Sequence, residues 1–297
     1  MPALRSLIAG TEPVWAPLVL NPMMARLAAG AGFPALYLGG GSMGYLSGFT
    51  EANLTLTEMV QAGLDIRAAC DLPLILDAAG GWGDPMHLRR TVRLAEAAGF
   101  AAIEIEDQLL PKRAHHHVGL EHNIPAELMA AKVAESVAAR RSDSLLVIAR
   151  TNAVRNAGMD EALRRAEAMR RAGADMLFVL SRTPEEWRFV AERLGPPLMY
   201  MTLSGGAGAM TVSAAELHRM GYRLFVDPVT PLLAMHRALR QSYAALRDGR
   251  PDPLVGGEGQ EEQRLMHETI DLEALLAIER RTTERGEQVF SAGAPSP

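Results

Sequence analysis

Short apolar runs alternate with amphipathic stretches along most of the chain. The runs are rich in Val, Ile and Leu, as in strands buried on both faces, and the stretches between them carry apolar residues at helical spacing. Such alternation is typical of parallel strands joined by crossover helices. It predicts eight strands, at residues 17–20, 35–39, 74–77, 102–106, 145–150, 176–179, 198–201 and 223–226.

The ends of the amphipathic stretches carry helix signals. Thr57, Asp84 and Asp160 are residue types that suit a helix start, and a proline follows Asp84. The clearest helices are therefore predicted at residues 56–69, 85–98, 126–139 and 160–171.

Three helices end on the same Ala-Gly pair, at Gly32, Gly99 and Gly173. Glycine there fits the left-handed turn that stops a helix and leads into the next strand. Eight such β/α units favour a closed barrel over an open doubly wound sheet, and no Gly-x-Gly-x-x-Gly follows the first strand. Residues 1–247 are predicted to form an α/β fold, a (β/α)8 TIM-type barrel.

The C-terminal part has a different pattern. Residues 248–260 are rich in Gly, Pro and acidic residues and are predicted to be a linker. Residues 261–285 form a charged amphipathic pattern that predicts one helix, and residues 286–297 are expected to be disordered. A helix attached through a linker packs either on a neighbouring subunit or back on its own barrel.

Composition limits the class of partner. The 297 residues suit one barrel with a tail, and 48% hydrophobic against 22% charged residues give a core and no disorder signature. A net charge of −5 without a basic run argues against a nucleic-acid partner. No apolar run reaches the ~18 residues of a membrane span, and the single Cys70 agrees with a reducing compartment. We expect a cytoplasmic protein with a small ligand.

In such a barrel the active site forms at the carboxyl ends of the strands, so polar residues there are candidates for chemistry. Tyr37 precedes Gly39-Gly40-Gly41, whose amides could bind a carboxylate or an oxyanion, although a flexible turn explains the glycines equally well. Asp77 and Glu106 end the next two strands. Burying both without partners is costly, and a hard cation such as Mg2+ would relieve it. The alternative is that each carboxylate caps a helix or pairs with an Arg.

Cationic residues follow in the next loop and strand. Arg150 ends the fifth strand before Thr151-Asn152 and could bind a carboxylate through two parallel hydrogen bonds. The loop at residues 108–123 carries groups that could move a proton if it closes as a lid: Lys112, Arg113, His115, His116, His117 and His122. Adjacent His residues in a flexible loop seldom point at one ion, which argues against zinc.

Together these motifs resemble the isocitrate lyase/phosphoenolpyruvate mutase superfamily. Tyr37 with the three glycines falls where that family has its substrate loop, and Asp77 falls on the first residue of its Asp-Ala-Asp metal motif. The sequence Ile-Glu-Asp-Gln around Glu106 matches the family, as does Ile-Ala-Arg-Thr around Arg150. The Lys-Arg pair at Lys112 begins the family's gating loop.

The resemblance implies a Mg2+ enzyme, with Mn2+ as an alternative, in which Asp77 and Glu106 hold the metal, Glu106 through water. It implies that the substrate is a small carboxylate bound by Arg150, with Tyr37, Gly39, Gly40, Gly41 and Asn152 beside it. It also implies a C-terminal helix swapped between subunits and a homotetramer.

Several positions depart from the family pattern. Ala79 stands where the second metal-motif Asp is expected, and Ala114 stands where lyases keep a catalytic Cys. Leu180 and Leu203 replace Glu residues of methylisocitrate lyases, and Tyr200 replaces an Asn. Such a site is not expected to bind a tricarboxylate in the usual way.

The resemblance implies a Mg2+-dependent carbon–carbon lyase that acts on a 2-hydroxy or 2-oxo carboxylate through an enolate-like intermediate. Arg150 would bind substrate, and His116, or otherwise Lys112, would carry the proton that the missing Cys cannot. Asn152 and the apolar replacements are similar to an oxaloacetate decarboxylase branch, which is the first alternative. A P–C bond mutase or hydrolase, and an inactive binding homologue, follow it.

Overall fold

The computed structural model of the protein describes residues 3–202 and 204–284. The described chain contains one eight-stranded sheet in which all neighbouring strands are parallel. Its strands are β1 Val14–Pro17, β2 Leu36–Leu38, β3 Leu74–Asp77, β4 Ala102–Glu106, β5 Leu146–Thr151, β6 Met176–Val179, β7 Leu198–Met201 and β8 Tyr222–Asp227.

Strand β1 pairs with β8, and pairing then runs back through the sheet to β2. An isolated parallel bridge between Leu18 and Tyr37 joins the two ends, where the Val19 amide donates to the Tyr37 carbonyl at 2.9 Å. The predicted (β/α)8 barrel is confirmed, with this short β1–β2 seam as its point of closure.

Helices connect the strands. They are α1 Leu4–Ile8, α2 Pro22–Gly30, α3 Gly40–Leu46, α4 Leu56–Ala69, α5 Pro85–Ala97, α6 Ala126–Ala139, α7 Val154–Ala157, α8 Met159–Arg171, α9 Pro184–Leu194, α10 Ala214–Met220, α11 Thr230–Arg247, α12 Gly259–Thr269 and α13 Leu272–Thr282. Short 3-10 helices lie at Glu51–Asn53, Ala114–Val118 and Gly206–Ala209.

Of the predicted helix starts, Asp84 is the N-cap of α5, whereas Asp160 lies in the first turn of α8, whose N-cap is Gly158. Gly32, Gly99 and Gly173 all have positive φ, as a left-handed stop requires. The start of α4 is capped by Thr55, not Thr57, because the Thr55 side chain accepts from the Glu58 amide while Glu58 reaches back to the Thr55 amide.

The first strand lies earlier than predicted. The whole run from Val14 to Leu20 is apolar, and its pairing with β8 uses Val14–Pro17 instead of residues 17–20. After Pro17, Leu18 still donates its amide to the Asp227 carbonyl of β8 at 2.9 Å, but it also bridges to Tyr37 of β2, which forms the seam. Hydrophobicity alone cannot tell which half of such a run carries the ladder.

Strand alternation sorts side chains into two layers. Residues such as Leu36, Leu76 and Ile103 face the surrounding helices, whereas Ile75, Ala102 and Ile148 belong to the cluster inside the barrel. Polar residues that continue the inner face therefore reach the mouth of the barrel at the carboxyl ends of the strands.

The chain divides into two compact units, Met1–Met235 and His236–Pro297. In the second unit, α12 and α13 occupy the region predicted as a single helix at residues 261–285. The helix breaks at Asp271, whose φ of 56° is left-handed, a conformation that Asp tolerates better than most residues. Residue 285 and the predicted tail at residues 286–297 lie outside the described residues. Over the described ranges, no helix has both the length and the apolar character needed to span a bilayer.

Candidate active site

A cavity of about 250 Å³ opens at the carboxyl ends of the strands. It is smaller than a typical site for a drug-sized ligand, which suits a small substrate. The predicted site residues that line it are Tyr37, Gly39, Gly41, Asp77, Lys112, His116 and Arg150. A larger cavity of about 700 Å³ lies at the opposite strand ends, against Pro73 and Ala101, where barrels do not place their catalytic groups.

The base of the cavity is a buried hydrogen-bonded network, which we call the floor network: Tyr37, Glu104, Glu106, Arg150 and Asn152. The Tyr37 hydroxyl donates to Glu104 Oε2 at 3.1 Å, and Arg150 Nη1 donates to Glu104 Oε1 at 2.9 Å. Arg150 Nε lies 2.9 Å from Asn152 Oδ1 and 3.3 Å from Glu106 Oε2. Asn152 Nδ2 donates to Glu106 Oε2 at 2.7 Å. Each polar side chain is held by at least one other.

The charged forms of Glu104 and Glu106, the two carboxylates of the floor network, are destabilised by their surroundings. Burial raises the pKa of Glu104 to about 7 and that of Glu106 to about 8, against the opposing effect of Arg150. Asp77 adds to both increases. Three acidic groups thus share one buried region with a single guanidinium in contact.

This donor set fits a hard divalent cation, because such an ion would relieve the repulsion between Asp77 and Glu106. Within residues 3–202 and 204–284, however, no three His, Cys, Asp or Glu side chains enclose a common metal position. Water and substrate oxygens would have to complete the shell, as they commonly do for Mg2+.

Asp77 is anchored by backbone amides. Its Oδ2 accepts from Gly40 at 3.2 Å and its Oδ1 from Ala79 at 3.0 Å. The Gly40 amide is therefore directed at Asp77, which argues against its predicted role as an oxyanion donor, while Gly41 lines the cavity. Both glycines begin α3, where a side chain on Gly41 would approach Glu51 Oε2 to 3.2 Å.

The segment at residues 111–119, which we call the lid loop, brings Lys112 into the cavity. Lys112 Nζ contacts the carboxylates of Glu51 and Glu106, the latter at 2.5 Å. Burial lowers the pKa of this ammonium. The amine therefore lies where a proton can pass between it and either carboxylate.

His116 lies beside this amine. Its Nε2 is 3.2 Å from Glu51 Oε1, and its Nδ1 is 2.7 Å from the Arg113 carbonyl oxygen. Burial, with a further contribution from the charge of Lys112, lowers the pKa of His116 to about 4, although the Arg113 carbonyl opposes the shift. The ring is thus placed to exchange a proton within the cavity.

The three consecutive imidazoles are not equivalent. His117 also lines the cavity, with Nδ1 2.9 Å from the Tyr45 hydroxyl and Nε2 2.8 Å from Thr50 Oγ1. His115 instead faces His122 at 3.3 Å and does not line the cavity. His116 therefore lies beside Lys112 and Glu51, His117 bonds the lid loop to Tyr45 and Thr50, and His115 lies outside the cavity.

Sequence reasoning missed four charged residues of the site. Glu104 was detectable, because it lies two residues before Glu106 and so shares its face of β4. Glu51 lies in a three-residue 3-10 helix, Glu121 in a loop and Arg155 in the four-residue helix α7, all too short for periodicity to indicate a direction. Arg155 Nη1 is 2.5 Å from Glu121 Oε1, and both residues line the cavity. Leu203, named for its departure from the family, lies outside the described residues.

The family model described as phosphoenolpyruvate phosphomutase matches residues 4–247. The chain belongs to this family. The match includes all eight barrel strands and the candidate site at their carboxyl ends. The superfamily predicted from the motifs is confirmed.

Named members of the phosphoenolpyruvate phosphomutase family indicate its chemistry. A 2-methylisocitrate lyase of Aeropyrum pernix is 38% identical over 248 residues, covering 82% of this chain and 78% of the relative. A 2,3-dimethylmalate lyase of Eubacterium barkeri is 33% identical over 247 residues, covering 82% and 85%. The solved structure of a phosphonopyruvate hydrolase complex with oxalate and Mg2+ has a TM-score of 0.81 at 26% identity, covering 95% of this chain and 98% of that one. The prediction that the protein is an enzyme of the lyase type from this superfamily is confirmed.

Proposed function

We propose that this protein is a Mg2+-dependent carbon–carbon lyase that cleaves a small 2-hydroxy or 2-oxo carboxylate through an enolate-like intermediate. The observation that carries the proposal is the convergence of Arg150, Lys112 and Asp77 on one small cavity at the carboxyl ends of the strands. These groups supply an anion-binding cation, a proton carrier and a metal ligand. The two lyases among its relatives support the same reaction class.

Arg150 binds and orients the substrate in this proposal. Its guanidinium is fixed by Glu104 and Asn152 and lies 5.1 Å from the centre of the Phe178 ring, so it cannot swing away from the cavity. Asp77 and Glu106 would hold Mg2+, or Mn2+ in its place, and the metal supplies positive charge where the oxyanion develops.

Cleavage needs two proton movements. In a 2-hydroxy carboxylate a base takes the hydroxyl proton, the carbon–carbon bond breaks with its electron pair left on the departing enolate, and an acid protonates that carbon. In a 2-oxo carboxylate, water must first add to the carbonyl to supply that hydroxyl. We assign these protons to Lys112 Nζ and the His116 ring, which both line the cavity. The lid loop, from which both project, would exclude water from the enolate.

An oxaloacetate decarboxylase-like reaction is the second candidate. Two observations favour it: Asn152 is buried in the floor network, and Leu180 follows β6 without offering a carboxylate. Both reactions pass through an enolate, so the products distinguish them.

The test is a turnover assay on the full-length protein with Mg2+ and a panel of 2-hydroxy and 2-oxo di- and tricarboxylates. We expect pyruvate, glyoxylate or a related oxo acid as a cleavage product, and none without metal. Release of CO2 from a 2-oxo diacid without carbon–carbon cleavage of the hydroxy acids would favour the decarboxylase. No product from any compound would contradict both candidates.

We also propose a cytoplasmic homotetramer assembled through the C-terminal region, as the family resemblance implies. The proposal for the compartment is supported by the lone Cys70, which has no cysteine to pair with. Light scattering should show a tetramer for the full chain and a smaller species after deletion of residues 261–297. A tetramer that survives the deletion would rule out this assembly.

A further inference from the structure

Glu51 is the group that both proton carriers of the proposed reaction contact. Lys112 Nζ contacts Glu51 Oε1, and His116 Nε2 lies 3.2 Å from the same oxygen. Glu51 begins the 3-10 helix Glu51–Asn53, a single short turn of a helix type whose hydrogen-bond geometry is poorer than that of an α-helix. The position of both carriers therefore depends on what holds this short helix in place.

The indole of Trp82 holds the end of this helix. Trp82 Nε1 donates to the carbonyl oxygen of Leu54 at 2.9 Å, and the Leu54 amide donates to the Glu51 carbonyl at 3.0 Å. Trp82 and Leu54 line a cavity of about 370 Å³, which shares Glu51 and Lys112 with the candidate active site. The indole thus connects the loop between β3 and α5 to the segment that carries Glu51.

Trp82 adopts a backbone conformation that is unfavourable for a residue with a side chain. Its φ is 56°, and Gly81 and Gly83 on either side have φ of 80° and 155°. A third glycine would adopt this conformation without the steric cost that Trp incurs. Strained residues of this kind cluster at functional sites. Besides packing against the core, the Trp82 side chain contributes the hydrogen bond to Leu54, which glycine could not form.

We propose that Trp82 is a positioning residue for the proposed reaction: its indole N–H fixes the 3-10 helix, so that Glu51 stays between Lys112 and His116. The inference rests on the proposed lyase function, because it concerns the groups to which that function assigns the two protons. Trp82 lies outside the catalytic cavity and therefore acts through Glu51. Loss of the indole should slow proton transfer and leave substrate binding by Arg150 unchanged.

The experiment uses Trp82→Phe, which keeps an aromatic ring but removes the N–H donor. On the compound that the wild type cleaves, kcat should fall about tenfold while KM and Mg2+ affinity stay within about twofold. Trp187→Phe is the matched control, because Trp187 Nε1 also donates to a backbone carbonyl, that of Ser181 at 3.2 Å. Trp187 is on α9 and lines neither cavity, so its variant should lose stability but keep kcat.

Glu51→Gln tests whether Trp82 acts through Glu51. In that background Trp82→Phe should lower kcat no further, because the two changes disturb the same group. Trp82→Gly, which removes the backbone strain, should lose at least as much kcat as Trp82→Phe, because it also lacks the indole. Wild-type kcat in Trp82→Phe, or an additive loss of kcat in the double variant, would overturn the inference.

A second measurement needs no substrate. Amide hydrogen exchange at Leu54, which reports its bond to the Glu51 carbonyl, should be about tenfold faster in Trp82→Phe than in the wild type. Exchange in the middle of α4 should stay the same. Unchanged exchange at Leu54 would also overturn the inference. If the wild type cleaves no compound, the lyase proposal fails, whereas exchange at Leu54 still decides whether Trp82 holds the helix of Glu51.

Discussion

The floor network and the lid loop both place ionisable side chains at the cavity, but the floor network holds them on strands and the lid loop holds them on a connection. In the floor network, side chains from β2, β4 and β5 point into the barrel, and each is fixed by the strand it sits on. In the lid loop, Lys112 and His116 reach Glu51 from a connection without strand or α-helix. In the proposed mechanism, the groups assigned to binding and to the metal therefore lie on or next to strands, whereas the groups assigned to proton transfer lie on a connection.

The largest effect is expected from Arg150→Met. The variant leaves the buried carboxylate of Glu104 without its cation and leaves Glu106 with Lys112 alone, and breaking a buried pair in this way costs about 3–5 kcal/mol. Urea unfolding should show a loss of this size together with loss of activity. Arg150→Lys, which keeps the charge, should recover much of the stability but not substrate affinity. Stability unchanged in Arg150→Met would show that the floor network is not a rigid unit.

Asp77→Asn should remove metal binding while leaving the fold. With Ala79 offering no carboxylate, Asp77 is the proposed metal ligand that the site cannot replace. Calorimetry should show Mg2+ affinity reduced at least about tenfold, with activity lost in parallel. Asp71→Asn, at the opposite end of β3, is the control. Wild-type Mg2+ affinity in Asp77→Asn would contradict the metal assignment.

His116→Gln tests the chemistry of the lid loop. If its ring carries a proton, kcat should fall by roughly 10² to 10⁴ while substrate binding is largely kept. Because the pKa of His116 is lowered to about 4, the ring is mostly neutral near pH 7 and gains a proton only as the pH falls toward that value. His115→Gln, outside the cavity, should be close to wild type. If both variants keep full kcat, Lys112 becomes the proton carrier.

The smallest effect is expected from His117→Gln. The substitution removes contacts to Tyr45 and Thr50, each worth about 0.5–1.5 kcal/mol at most, so the lid loop should open more often without losing its chemistry. Limited proteolysis within residues 111–119 should become faster, and KM should rise severalfold with little change in kcat. Tyr45→Phe should do the same more weakly, and the double variant should add little. A large fall in kcat would mean that His117 takes part in the reaction.

The floor network was largely predictable, and the lid loop was not. Strand ends gave Tyr37, Asp77, Glu106 and Arg150, because a period of two places such residues on a known face. Glu104 obeys the same rule, although it lies two residues before the end of β4 and not at the strand end. Glu51 could not be found in this way, since its contact with Lys112 joins two connections whose paths depend on tertiary packing.

The fold shows the same division. All eight strands were predicted because parallel strands in a barrel are continuously apolar. The position of β1 within its run and the break at Asp271 were not, because register and a single left-handed residue depend on partners that local hydrophobicity does not contain.

The β1–β2 seam offers a reporter that needs no substrate assay. Among the described residues, the isolated bridge at Leu18 and Tyr37 is the strand pairing that closes the barrel there, and Tyr37 also belongs to the floor network. Amide hydrogen exchange at Val19, which donates to the Tyr37 carbonyl, should therefore be faster than in the longer β4–β5 ladder. A ligand that stabilises the floor network should slow exchange at the Val19 amide. The exchange rate of this amide would then report whether the site is occupied.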